Sequence, residues 1–339
     1  MQKITAELRK IAKNLLSSGQ VDMVLGYTQG ELPYQTVPFV ASSEEDVENL
    51  VFDGFSDKAL SKYLLEDNFQ SKKIALVLKG CDSRALKLML EESRVNRDNL
   101  YLIGVNCPGI IRRDALAKQA GCDLSQVDVV LQEDKITINT TNGSNCATSS
   151  QEVSYQQVVS PFCLTCEHPT PSKDQVDTLI EEGEPKAFLD NQTYSHEESF
   201  TNIGELEKLS EEERFEFWKK QLNRCKRCYS CRNACPVCTC RVCLFDRENP
   251  DYLDKATDQL AQHQFYHVIR AFHVSDRCVG CGECSRVCPE NIPLHLLNQK
   301  LVKELENYYG EYTPGIDELP APLSQANADD PDPFEKEEK

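Results

Sequence analysis

The sequence predicts an α/β N-terminal domain with a largely parallel sheet, followed by a mostly helical, cysteine-rich domain and an acidic tail. Three observations carry this. Short buried-strand patterns alternate with helical ones through the first half of the chain. Cysteines then crowd into two copies of one spacing between Cys225 and Cys288. Beyond Pro320 come prolines and a run of Asp and Glu with little to bury.

Apolar residues recur at helical spacing from Ile4 to Leu16, and Ser18-Gly19 closes that helix. Val21 to Leu25 and Lys73 to Leu78 read as short buried strands, Ser83 to Leu90 as a helix and Leu100 to Val105 as a further strand. Val129 to Leu131 and Ile136 to Ile138 suggest a hairpin across Glu133-Asp134, and Asn142-Gly143 marks a turn. Pro161 to Pro171 reads as a cysteine-bearing loop. Asp174 to Glu212 is acidic and loop-like, apart from a helical patch at Val176 to Ile180. The domain boundary is placed there, dividing the chain into 1–205, 206–318 and a tail, 319–339. Glu212 to Leu222, Ala256 to Ala271 and Leu294 to Tyr308 are the helix candidates of the second domain, and Ala328 to Lys339 is a solvated tail.

Composition narrows the function. A net charge of −18 over 339 residues is the wrong sign for a phosphate-binding surface, so no nucleic-acid partner is expected. Met1 to Lys10 lacks the apolar core of a signal peptide. Nor does any window approach the roughly eighteen apolar residues of a membrane span. A cytoplasmic location is expected. Thiols stay reduced there, so the 17 cysteines read as metal ligands for the most part rather than a disulfide framework.

Cys225-x2-Cys228-x2-Cys231-x3-Cys235-Pro236 is one complete unit, and Cys278-x2-Cys281-x2-Cys284-x3-Cys288-Pro289 is the second. Two-residue gaps let a tight loop wrap three iron corners of a cubane while its backbone N–H groups point at sulfide. In two-cluster ferredoxins the fourth cysteine of each unit ligates the other cluster. Two [4Fe-4S] clusters follow, one on Cys225, Cys228, Cys231 and Cys288, the other on Cys278, Cys281, Cys284 and Cys235. Gly280 and Gly282 keep the second loop free of side chains where backbone approaches sulfur. Zinc sites use separated pairs and give no reason for three cysteines at two-residue gaps followed by Cys-Pro, twice. Cys231, Cys235 and Cys238 also spell the radical-SAM spacing, but two of them already belong to the first unit. The long insert between the units resembles the helical ferredoxin modules of heterodisulfide reductase and succinate dehydrogenase subunits. Within it, Cys238, Cys240 and Cys243 either hold a further metal, or are buried small hydrophobes or groups that surround a cluster without ligating it. For a metal, the fourth ligand would come from Cys122, Cys146, His263, His267 or His273. Arg224, Lys226, Arg227, Arg232 and Arg241 crowd the first unit of an otherwise acidic chain.

Four more cysteines are scattered through the first half. Cys81 follows the strand ending at Leu78, Cys107 follows the next strand in Ile103-Gly104-Val105-Asn106-Cys107, and Cys163-Leu164-Thr165-Cys166 lies on the later loop. In an open parallel sheet, ligands gather at the carboxyl ends of neighbouring strands, so these thiols can converge. Asp82 and Arg84 read as cap and surface pair of the following helix. In order and setting, these motifs resemble the β subunits of hydrogenases and formate dehydrogenases that use the deazaflavin coenzyme F420. The resemblance covers roughly residues 1 to 200. It implies a third [4Fe-4S] cluster on Cys81, Cys107, Cys163 and Cys166, an FAD site and exchange of electrons with a deazaflavin or another carrier. The chain departs from that family by lacking a glycine-rich turn near the first helix and by reading Glu167-His168-Pro169-Thr170-Pro171 after Cys166. Together the two halves predict an iron–sulfur electron-transfer subunit of an anaerobic oxidoreductase complex, with hydrogenase, formate dehydrogenase or heterodisulfide-reductase-like subunits as partners. A flavin-dependent reductase acting on a small carrier is the alternative.

Overall fold

The N-terminal amphipathic pattern forms α1 (Gln2–Ser17), which buries Ile4, Leu8, Ala12 and Leu15 along one face. This computed structural model describes residues 2–131, 135–141, 147–182, 200–248, 252–253, 259–318 and 320–324. It divides into two units, Met1–Ser199 and Phe200–Lys339.

In the first unit, α1 is followed by β1 (Met23–Gln29), β2 (Thr36–Ala41), α2 (Glu44–Val47), β3 (Leu50–Val51) and β4 (Ile74–Leu78). Next come α3 (Gly80–Glu91), β5 (Leu100–Val105), α4 (Arg113–Ala120), β6 (Val127–Leu131), β7 (Lys135–Thr140) and β8 (Ser149–Ser154). The short helices α5 (Tyr155–Val158) and α6 (Pro161–Leu164) lead to β9 (Thr178–Ile180). The main sheet runs β2-β1-β4-β5-β9, with β3 also on β1. β1, β4, β5 and β9 are parallel, whereas β2 and β3 lie antiparallel to β1. Every residue of β4 is buried, as in a central parallel strand covered on both faces. β2 was not anticipated, because Pro38 interrupts its pattern. As the outermost strand of the sheet it tolerates a residue with no N–H to donate.

Two sequence expectations change here. Val176 to Ile180, read as a helical patch, supplies β9 instead. The Asp177 carboxylate accepts the Leu102 N–H at 2.7 Å and pairs with Arg97 at 2.8 Å, which docks the segment on β5. An open sheet edge thereby decides a short apolar run whose spacing fits either state. The surrounding segment, read as a loop, also contains a helix, α7 (Thr201–Glu207). The hairpin β6–β7 forms, joined by β8 into a separate three-stranded antiparallel sheet. The turn expected at Asn142-Gly143 lies outside the described residues.

In the second unit, α7 is followed by α8 (Glu211–Leu222), α9 (Ser230–Asn233), α10 (Leu260–His273), α11 (Glu283–Arg286) and α12 (Leu294–Tyr309). α8 starts on a reciprocal Ser210–Glu213 cap, with three glutamates in its first turn and Lys219 and Lys220 in its last, which suits the helix dipole. Glu207 pairs with Lys300 at 2.9 Å and Lys303 at 2.7 Å, tying α7 to α12, so the boundary expected after residue 205 falls inside a helix of this unit. α10 begins at Leu260, and the first residues expected of it, from Ala256, lie outside the described residues, as does the acidic stretch from residue 325. Among the described residues, no helix is long and apolar enough to cross a membrane.

Cysteines of this unit sit inside its apolar core. Leu222, Phe245, Leu253, Tyr266, Ile292 and Leu294 surround Cys225, Cys231 and Cys284.

Candidate metal centres

The two cysteine units fold as matching loops. Arg227 and Tyr229 have φ of 45° and 60°, and their counterparts Gly280 and Gly282 both have φ of 68°. Each loop thus takes left-handed backbone on either side of its second cysteine and then enters a one-turn helix, α9 or α11, carrying Cys231 or Cys284. Glycine adopts this freely in the second loop, whereas Arg and Tyr do so at a cost of about 1–2 kcal/mol each. Tertiary contacts hold them. Arg227 Nη1 donates to Gln262 Oε1 at 2.9 Å, and the Tyr229 ring meets Tyr266 edge-on at 5.3 Å with the Arg232 guanidinium 4.8 Å over its face.

The loops wall two cavities. One, about 330 Å³ with its mouth included, is lined by Cys225, Cys228, Cys231 and Cys288. The other, about 380 Å³, is lined by Cys278, Cys281, Cys284 and Cys235. Three thiols of one unit and the last thiol of the other face each space, which is the donor set a cubane requires. Among the described residues, no three His, Cys, Asp or Glu side chains gather around a point that a single metal ion could occupy. Burial pushes the Cys284 thiol up to about 12 and Cys225 up to about 11, so these sulfurs stay protonated unless a metal claims them.

Helix α10 presents a polar stripe to these cavities. His263, Tyr266, His267 and Arg270 are all buried, at positions that share one helical face. Tyr266 Oη lies 3.7 Å from Cys231 Sγ, and His267 Nε2 lies 3.3 Å from Cys225 Sγ. Burial, then Arg270 and His263, lower the His267 pKa to about 3, so its ring is neutral. His263 Nδ1 contacts Leu222 O at 3.1 Å, and His273 is exposed. Sequence reading named these histidines only as possible metal ligands and missed Tyr266 and Arg270. The signal was present as polar residues at i, i+3, i+4 and i+7 of one helix, the spacing of a single face.

The remaining cysteines of the insert are less gathered. Cys240 is exposed, and Cys243 faces the Arg232 guanidinium, which also holds Asp246 at 2.8 Å. Cys122 is disulfide-bonded, so it is not an available fourth ligand, contrary to expectation. Cys146 lies outside the described residues.

In the first unit, Cys81 opens α3 directly after β4, and Cys107 follows β5. The Pro161 to Pro171 segment, with α6 inside it, folds over both strand ends. The Cys107 N–H donates to Pro169 O at 3.2 Å, and the Thr170 hydroxyl donates to Asn106 Oδ1 at 2.9 Å. Gly80 lets this happen, since a Cβ there would sit 1.9 Å from the His168 carbonyl oxygen. The docking brings Cys163 and Cys166 within electrostatic reach of Cys81, and Cys166 within reach of Cys107. Burial pushes Cys81 and Cys107 up to about 12, opposed by the charge of Lys79. Lys79 is buried, and its Nζ donates to Ser56 O at 2.8 Å, to Lys58 O at 2.7 Å and to the Tyr27 hydroxyl. Asp82 is neither cap nor surface group, contrary to expectation. It is buried at the first turn of α3, where it accepts the N–H of Leu60 at 2.8 Å, that of Ser61 at 3.2 Å and the Ser61 hydroxyl. Arg84 is likewise buried.

An α/β unit with thiols at its strand ends, followed by a helical unit with two four-thiol cavities, defines an iron–sulfur protein. Residues 221–292 match the family described as 4Fe-4S dicluster domain, and residues 71–173 match the family described as the C terminus of the coenzyme F420 hydrogenase/dehydrogenase beta subunit. The chain thus carries one segment similar to that beta-subunit family and another similar to a dicluster domain. It is 28% identical to the F420-dependent formate dehydrogenase subunit beta of Methanocaldococcus jannaschii, over 92% of this chain and 92% of that one. It is 27% identical to the F420-dependent formate dehydrogenase 1 subunit beta of Methanococcus maripaludis, over 91% of this chain and 90% of that one. A chain of the xenon-derivatised F420-reducing [NiFe] hydrogenase complex from Methanosarcina barkeri superposes with a TM-score of 0.37 at 17% identity, covering 48% of this chain and 59% of that one.

Proposed function

We propose that this chain is an iron–sulfur electron-transfer subunit of a cytoplasmic oxidoreductase complex of the formate dehydrogenase or hydrogenase kind. One [4Fe-4S] cluster is held by Cys225, Cys228, Cys231 and Cys288, a second by Cys278, Cys281, Cys284 and Cys235, and a third by Cys81, Cys107, Cys163 and Cys166. The observation that carries this reading is the pair of cavities in which each cysteine unit lends its last thiol to the other. Bound there, the clusters supply one-electron transfer. The protein's part is to hold the thiols, exclude water and set local charge.

In the second unit, Tyr266 and His267 offer donors to ligand sulfurs, which favours the more negative, reduced state. In the first unit, Cys81 sits at the start of α3, a 12-residue helix whose free N–H groups favour an anion. Lys79 adds a buried positive charge beside it. The relatives' names point to a deazaflavin coenzyme as the carrier served by the N-terminal unit.

The test is iron, acid-labile sulfide and flavin on one anaerobically purified sample. Three clusters give about twelve irons per chain, and two give about eight. Cys163→Ser should lower iron by one cluster and leave the dicluster signals intact. Bound flavin would favour the reductase reading, and absence of labile sulfide would remove the proposal altogether.

A further inference from the structure

Arg270 is the least explained side chain of the second unit. It is 2% exposed. Its Nη2 donates to Asn298 Oδ1 at 3.3 Å, while Nε and Nη1 are buried and have no hydrogen-bond partner. Among the described residues, it has no carboxylate hydrogen-bond or ion-pair partner. Arginine keeps its proton in proteins, so this is a full positive charge, withdrawn from water and left open on one side. Such a group is costly unless an anion is supplied to it.

Thiols of both cavities lie within electrostatic reach of Arg270. Cys284 and Cys235 belong to one, Cys231 to the other. Asn298, which accepts from Arg270, in turn donates to Cys284 Sγ at 3.7 Å. The other polar residues of the α10 stripe differ in this respect. Tyr266 reaches only Cys231 and His267 only Cys225, both ligands of the first cavity.

We propose that Arg270 is a shared positioning charge for the two dicluster sites, raising the reduction potential of both clusters together. This rests on the reading that both cavities hold [4Fe-4S] clusters. Cluster potentials depend on net charge and on burial, and a fixed cation favours the state with one more electron. Because one guanidinium lies within electrostatic reach of both thiol sets, its removal should lower both potentials. Loss of a donor to a single sulfur would lower one.

The experiment is a potentiometric titration of the full chain, followed by electron paramagnetic resonance, with iron per chain measured on each sample. Arg270→Met keeps the length and apolar stem but removes the charge. We expect unchanged iron and a shift of at least tenfold against reduction at both clusters, which is about 59 mV for a one-electron couple. Arg270→Lys keeps the charge and loses the planar fork, and should hold both clusters within about threefold of the parent. The inference is overturned if Arg270→Met moves only one potential or neither, or if Arg270→Lys falls as far as Arg270→Met. Should Arg270→Met lose iron, retention by Arg270→Lys would still support the charge, while loss in both would assign Arg270 to scaffolding instead. A parent sample short of the dicluster iron would sink the functional reading, a separate outcome read from the parent alone.

Discussion

Gly80 offers the sharpest test of how the N-terminal thiols are brought together. An added Cβ at this position would lie 1.9 Å from His168 O, 2.9 Å from His168 C and 3.0 Å from Pro169 C. All three are backbone atoms, so no rotamer change relieves the clash. The segment carrying them must retreat by about 1 Å or more to reach even a tight contact. That retreat breaks the Cys107 N–H to Pro169 O bond and strains the Thr170 to Asn106 bond. Overpacking costs about 1–3 kcal/mol. Each hydrogen bond adds about 1 kcal/mol. Against this, alanine gains up to about 1 kcal/mol over glycine in a helix. Gly80→Ala should therefore destabilise by about 2–3 kcal/mol. In urea, with a slope of about 2 kcal/mol/M, the midpoint should fall by about 1 M. Because the same segment carries Cys163 and Cys166, iron should fall by about four per chain, with the dicluster signals unchanged. Gly204→Ala is the control. An added Cβ there meets nothing within 4 Å, so that variant should be neutral or slightly stabilising. Parent-like iron together with a parent-like midpoint in Gly80→Ala would refute the argument that this glycine sets the thiol geometry.

Other outcomes follow from named contacts. Tyr266→Phe removes the hydroxyl 3.7 Å from Cys231 Sγ and should lower the potential of that cluster alone, with iron unchanged, as read by the same paramagnetic titration. Metal-free protein should lose stability as pH rises from about 9 toward 12, because burial holds the Cys81, Cys107 and Cys284 thiols neutral in the fold while the unfolded chain ionises first. Cluster-loaded protein, whose thiolates no longer titrate, should lack that loss in thermal melts across the same range. Glu207→Gln should cost about 0.5–1 kcal/mol in chemical unfolding, discounted for partial exposure. Lys303 and Lys300 hold its carboxyl below the usual range, so its contribution is present above the ordinary glutamate value and fades as pH falls through the lower folded value.

How much of this was readable beforehand follows from where each ligand lies in the chain. Cysteines two residues apart are constrained by local backbone, so the spacing groups the first three thiols of each unit, which line one cavity together, while the fourth lines the other. The parallel sheet was equally legible, because β4 and β5 are uninterrupted apolar runs. What sequence could not show depends on tertiary partners. β9 becomes a strand only because β5 offers an edge. Left-handed backbone at Gly280 and Gly282 is visible in the residue type, but the same conformation at Arg227 and Tyr229 is imposed by Gln262, Tyr266 and Arg232. Asp82 read as a cap because its neighbours across space, Leu60 and Ser61, are distant in sequence.

The two units share a charge logic despite unrelated folds. Each buries a cation whose hydrogen bonds reach no carboxylate, Lys79 in the first and Arg270 in the second, and each cation stands among cysteine thiols. Lys79 has the buried Asp82 carboxylate within electrostatic reach but donates to two carbonyls and a hydroxyl instead, whereas Arg270 has no carboxylate partner among the described residues. A carboxylate paired with Arg270 would neutralise it and restore the full cost of adding an electron to an already anionic centre. Without such a pair the Arg270 charge is left to the thiolates, which makes sense only if those thiolates are ionised in the working protein. Burial pushes the free thiols the other way, toward the neutral form. Metal coordination reconciles the two, since it ionises the sulfur and turns the buried cation from a liability into a counter-charge.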